Sequence, residues 1–138
     1  MDMKELFHTI SLKRKFYFDD LLEELDLNFM ELEVLDFLNH EPNRNTFTEI
    51  IKSKGYAKSH ISSAISNLID KGYLAKEPAP NNKKVFYLRL LEKSEYALMQ
   101  QEICIKNYQK TAFRGITKEE LDTFQTVLMK IESNLTEE

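Results

Sequence analysis

Little in this sequence suits a catalyst or a membrane protein. Its 138 residues hold one cysteine, three glycines and three prolines. One cysteine builds no disulfide framework within the chain. Three scattered glycines make no glycine-rich loop to cradle a phosphate. A run of about 18 apolar residues, which a transmembrane helix needs, is missing. So is the charged start and apolar core of a secretion signal. The expectation is a cytoplasmic protein without membrane contact. His8, His40 and His60 are scattered, with no metal-ligand spacing. There is no nucleophile elbow and no Cys–His arrangement. The paired carboxylates Asp19–Asp20, Glu23–Glu24 and Glu119–Glu120 are neighbours on helices, so they point to different sides. The sequence therefore predicts no enzyme, no cofactor and no metal. Positive charge is also scarce overall, with 19 basic against 23 acidic residues.

What is present is organised around residues 46–90. Thr46 and Glu49 form a capping box, which starts a helix at Phe47. Gly55 supplies the left-handed residue that ends it. A second helix occupies 57–71 and stops at Gly72. Two short helices joined by a glycine-containing turn are the helix-turn-helix pattern. YLAKEP and KKVFYLRL then alternate as strands. Pro78, Pro80, Asn81 and Asn82 are turn residues between them. A hairpin after the second helix makes a wing, with Lys83 and Lys84 at its tip.

In the second helix Ile61, Ile65, Leu68 and Ile69 form an apolar stripe, with Ala64 on its edge. The other side carries Lys58, Ser59, His60, Ser62, Ser63, Ser66 and Asn67. Solvated helix faces favour Glu and Lys, whereas Ser and Asn are poor helix formers. Short hydrogen-bonding side chains let a helix enter the major groove and reach base edges. A serine-rich surface helix with no partner accounts for this segment alone equally well. Charge weighs against that alternative. From Lys52 to Arg89 there are eight basic residues, among them Lys54, Lys71 and Lys76, and two acidic ones, Asp70 and Glu77. That is +6, which leaves −10 for the rest of the chain. A basic patch on an acidic protein is the footprint of a polyanion site.

The flanks read as helices. Residues 4–24 place Phe7, Ile10, Tyr17, Phe18, Leu21, Leu22 and Leu25 on or beside one broad face, interrupted by Arg14. Asn28 and Glu31 cap a helix from Phe29 to about Asn39. Residues 41–45 are a loop, in which Arg44 is either a phosphate contact or simply solvated. A long helix follows from Glu92 to Ala112, with Leu98, Met99, Ile103, Ile105 and Tyr108 as its apolar surface. Thr117 and Glu120 cap a last helix. Its Leu121, Phe124, Leu128, Ile131 and Leu135 make a narrow stripe of the coiled-coil kind. Long terminal helices with so little core of their own predict a symmetric homodimer, with simple packing within the chain as the alternative.

In order and spacing, residues 46–91 resemble the DNA-binding core of the MarR family of bacterial transcriptional regulators. The matching positions are Thr46, Glu49, Gly55, Ser59, Ile61 and Leu68. Lys71, Gly72, Tyr73 and Leu74 follow, and then Leu90, Glu92 and Lys93 after the wing. With the flanking helices the resemblance spans the whole chain, whose length is usual for the family. Where the family carries Asp-Arg and a further basic residue in its wing, this chain has Asn82, Lys83 and Lys84. Leu91 and Ser94 stand for Thr and Gly, and Ala57 for a capping Ser.

The resemblance implies a mainly α fold with a small β-hairpin wing. It implies one domain over 1–138: a winged helix-turn-helix lobe over about 28–91, and long dimerisation helices over about 1–25 and 92–138. It implies a homodimeric repressor of a pseudo-palindromic operator on double-stranded DNA, released by a small, often aromatic effector. The expected DNA-binding residues are Lys58, Ser59, His60, Ser62, Ser63, Ser66, Asn67, Lys83 and Lys84. Oxidant-sensing members keep their cysteine in the first helix, so Cys104 reads first as a small buried hydrophobe. The competing function is a winged-helix protein–protein interaction module. Such a module has no need of lysines gathered on turn, helix and wing.

Overall fold

The computed structural model describes residues 2–137, with Lys54 described by its backbone alone. The end positions 1 and 138 of the expected helical region, and the side chain of Lys54 in the basic segment, lie outside the described residues. The element order is α1 (Met3–Leu25), α2 (Phe29–His40), α3 (Phe47–Lys54), α4 (Lys58–Asp70), β1 (Leu74–Ala79), β2 (Asn82–Leu90), α5 (Glu92–Ala112) and α6 (Lys118–Thr136). This is a mainly helical winged helix-turn-helix with long flanking helices. The chain divides into two compact units, Met1–Ile105 and Lys106–Glu138, so the division runs through α5.

Local chemistry sets most boundaries. Asp2 accepts from the Glu5 N–H at 2.8 Å and starts α1. Asn28 and Glu31 complete a reciprocal capping box on α2. Thr46 accepts from the Glu49 N–H at 3.2 Å. Gly55 at φ 65° and Gly72 at φ 83° take the left-handed backbone that lets α3 and α4 end in tight turns.

The core of the first unit joins Leu21 and Leu25 of α1, Val34, Leu35 and Leu38 of α2, and Ile50 of α3 to α4, the wing and Ala97 of α5. From α4 it takes Ile61, Ala64, Ile65 and Leu68. Ala64 is thus central, 2% exposed, and Ile69 is the edge residue. The expectation had them the other way round. A stripe centred on Ala brings α4 close to its neighbours. Ile61 is fully buried. Ile61→Ala is expected to cost about 2–5 kcal/mol, read as a lower midpoint in urea with little change in slope.

Three further expectations change. The hairpin is tighter than its turn residues suggested, because Pro78 lies in β1 and Asn82 in β2. Pairing runs from Leu74↔Leu90 to Pro78↔Phe86 and then jumps to Ala79↔Asn82. Lys83, Lys84 and Val85 fall between the last two partnered positions, in a bulge. On α1, Phe18, Leu21 and Leu25 are buried, whereas Phe7, Ile10 and Tyr17 are exposed. On α5, the buried residues are Ser94, Ala97 and Gln101, while Met99 and Ile103 face outward. Small residues let that helix lie close against the wing's root, where the Ser94 hydroxyl donates to Tyr73 O at 3.0 Å.

The second unit holds the end of α5 and all of α6. Thr117 and Glu120 form a reciprocal capping box there, and the hydrogen bonds Glu120 accepts from Thr117 hold its carboxyl below the usual range. No residue of α6 is buried. Phe124, Leu128, Ile131 and Leu135 of the expected stripe are exposed, and Val127 and Met129 are exposed beside them.

Candidate nucleic-acid interface

The helix-turn-helix leaves one side of α4 bare. Lys58, Ser59, His60, Ser62, Ser63, Ser66 and Asn67 are all exposed. Among the described residues, none of these side chains is taken up by a hydrogen bond or ion pair within the protein. Threonines elsewhere behave differently. Thr126 and Thr136 on α6 bond back to the carbonyls of Asp122 and Glu132 at 2.9 and 2.7 Å. The polar face of α4 therefore keeps its donors and acceptors available. Ala57 occupies the N-cap of α4 without a side-chain cap, so the positive end of the helix dipole is open.

The wing stands beside this face. Asn45 pins it to the start of α3: its side-chain amide donates to Leu88 O at 3.2 Å, and its backbone carbonyl accepts from Leu88 N at 2.9 Å. Lys83 and Lys84 are exposed in the bulge. The Asn82 side chain accepts from the Lys84 N–H at 3.0 Å and shapes that turn. An open groove of about 460 Å³ separates wing and helix. Ser62 and Ser66 of α4 line it together with Lys76, Lys84 and Phe86 of the wing and Thr46.

Not every residue of the basic segment is available. Arg89 pairs with Glu77 at 2.5 Å across the hairpin. Lys71 pairs with the buried Glu31 at 3.3 Å. Lys52, Lys58, Lys76, Lys83 and Lys84 are left without an ion-pair partner among the described residues. Lys76 packs over the Phe86 ring at 4.1 Å, which holds its ammonium at the groove. Sequence reading counted Lys76 only as charge and did not single out Phe86. The signal was the two-residue alternation of the strands: Lys76 pairs with Leu88 and Pro78 with Phe86, so all four share one face. Arg44, left between phosphate contact and solvation, pairs with Glu49 at 3.1 Å.

Other candidate chemistry is weaker. Among the described residues no group of three or more His, Cys, Asp or Glu is placed to hold a metal. Among the described residues no helix is long and apolar enough to cross a membrane. Cys104 is half-buried, and burial, then the charge of Glu24, push its thiol pKa up. A raised pKa suppresses the reactive thiolate.

Comparison with known proteins agrees with this geometry. Residues 25–84 match the model of the MarR family. A structure of MarR superposes with a TM-score of 0.79 at 16% identity, over 100% of both chains. A cysteine-to-serine mutant of MarR from E. coli, complexed with operator DNA, superposes with a TM-score of 0.78 at 19% identity, over 94% of this chain and 92% of that one. MepR from S. aureus in a DNA complex superposes with a TM-score of 0.65 at 20% identity, over 96% and 98%. The structural likenesses carry the fold, and the family match falls on the lobe that bears the bare face of α4. The lobe over residues 25–84 thus resembles the MarR family, and the whole chain shares the fold of the solved MarR structure.

Proposed function

We propose that the protein is a sequence-specific DNA-binding transcriptional regulator that acts as a homodimer and represses from a pseudo-palindromic operator. One observation carries this reading: a helix face of unengaged short polar side chains, flanked by lysines without acidic partners. Residues 28–91 form the DNA-binding lobe. Residues 1–25 and 92–138 supply the dimer contact. Ser59, His60, Ser62, Ser63, Ser66 and Asn67 face base edges in the major groove. Lys52, Lys58 and the uncapped start of α4 hold phosphates and set register, without specifying sequence. Lys83 and Lys84 reach the flanking minor groove or its phosphates. DNA complexes of MepR and of mutant MarR support the reading.

Two α4 helices related by a two-fold axis read half-sites about one helical turn apart. Release requires an effector that binds the DNA-incompetent state better than the competent one. A groove of about 600 Å³, lined by Leu90, Leu91 and Leu98 with Glu92 and Glu95, falls in the size range of small-molecule sites. It is the first place to look for a small aromatic effector, and its two carboxylates disfavour an anionic one.

The wing assignment has its own test. Replacing both Lys83 and Lys84 by Ala is expected to weaken operator and random duplex alike. The salt dependence of log K should become shallower by about 3.6, since a dimer loses four phosphate contacts of about 0.9 each. An unchanged slope removes the wing from the interface.

A further inference from the structure

Helix α4 ends in the segment Lys71-Gly72-Tyr73, which is gripped from two sides. On one side Lys71 Nζ donates to Asp26 O at 2.6 Å, where α1 ends, and lies 3.3 Å from Glu31 Oε1 at the start of α2. The Tyr73 hydroxyl donates to Leu25 O at 3.2 Å. On the other side Lys93 Nζ donates to Lys71 O at 2.8 Å. Tyr73 O accepts from Leu91 N at 2.9 Å and from Ser94 Oγ at 3.0 Å. Asp26 sits at φ 53°, the one non-glycine with positive φ among the described residues.

This junction is expensive. Glu31 is 1% exposed, and its Oε2 has no hydrogen-bond partner among the described residues. A buried carboxylate beside a single half-exposed lysine is worth little to stability, and an apolar pair of similar volume often does better. Capping α2 does not require the lysine. Oε1 accepts from the Asn28 N–H at 2.8 Å, and the same box on α6 works with an exposed Glu120. Gln also completes such a box. The lysine therefore needs another reason.

We propose that Lys71 and Glu31 are positioning residues for base readout: by latching the end of α4 to the end of α1 and the start of α2, they fix the angle at which Ser63 and Asn67 meet the groove. This rests on the assignment of α4 as the reading helix. A helix of 13 residues is about 20 Å long, so a tilt of about 10° at the latched end moves the far end by about 3 Å. At Ser63 and Asn67, nearer the latch, the same tilt gives about 2 and 1 Å, which still takes a hydrogen bond to a base edge beyond bonding distance. Lys71 is then no phosphate ligand, although it belongs to the basic segment.

Lys71→Met, Glu31→Gln and the double variant test this with operator and random duplexes over a salt series. Hydrogen exchange on the free proteins accompanies them. Lys71→Met is expected to lower the operator-to-random ratio by about tenfold, a usual size for coupled neighbours. Random-duplex affinity and salt slope should stay as in the unmodified protein. The double variant strands no unpaired charge, so its Tm should recover while the ratio stays low. Exchange should quicken at residues 22–27 and 67–73 together. Equal loss on both duplexes with a shallower slope makes Lys71 an ordinary phosphate ligand and overturns the proposal. A double variant with an unchanged ratio also overturns it, because the pair then only balances charge. If the unmodified protein prefers no operator, the reading-helix assignment falls and this role falls with it. Quickened exchange at both segments would then still establish the mechanical latch, and unchanged exchange at 22–27 would remove it.

Discussion

Leu128→Glu combined with Ile131→Glu is expected to yield a folded monomer whose operator affinity is lower by about 10²–10⁴-fold, the scale of a lost second binding event. Both residues are exposed in the protomer and lie on a stripe that runs through Leu121, Phe124, Leu128, Ile131 and Leu135. A helix with such a stripe and no buried residue leaves its apolar area in water unless a second copy covers it. Charge there costs the protomer little, since substitutions at exposed positions usually stay within about 0.5 kcal/mol. The helical content by circular dichroism should hold. Sedimentation should show a single protomer at concentrations where the unmodified chain is dimeric. A variant that stays dimeric would move the dimer contact elsewhere.

Asn67→Ala is the second large effect. It should weaken operator binding by about 1–3 kcal/mol for each half-site, the usual worth of a good bidentate base contact, or roughly 5–150-fold for each of the dimer's two contacts. Random duplex should be bound as before. Asn67 is the one residue of the bare face whose donor and acceptor stand side by side on a planar amide, which suits an adenine edge. The serines each offer a single hydroxyl, so their separate losses should be smaller. Alanine is the better helix former, so α4 should not weaken and a folding defect cannot mimic the result. Equal loss on both duplexes would place Asn67 at the backbone and leave specificity to other residues.

The parts that were legible in the sequence are those set by neighbours along the chain. The Thr46–Glu49, Asn28–Glu31 and Thr117–Glu120 caps each span three residues, and all three N-caps form; the last two close as reciprocal boxes, whereas the Glu49 carboxylate turns to Arg44 instead. Gly55 and Gly72 mark the ends of two helices because a left-handed residue is needed there. The polar face of α4 followed from helical spacing alone. What stayed hidden depends on distant partners. Lys71 meets Glu31 across 40 positions, so counting charge along the segment overstated the cations available to DNA. The buried side of α5 was misjudged because hydrophobicity pointed to Met99 and Ile103, whereas Ser94 and Ala97 are buried where close approach matters. In the wing, Pro78 and Asn82 have turn chemistry, yet the bulge carries them into the strands.

The most direct test is fluorescence anisotropy with DNA from the protein's own upstream region, against random duplex, over a salt series. A sequence-specific regulator should prefer its operator by roughly a thousandfold. Both duplexes should show a steep salt slope, because lysines on α3, α4 and the wing displace counterions. The protected site should contain two half-sites about one helical turn apart. Equal and weak binding to both duplexes at low salt would contradict the account and favour a winged helix that binds another protein.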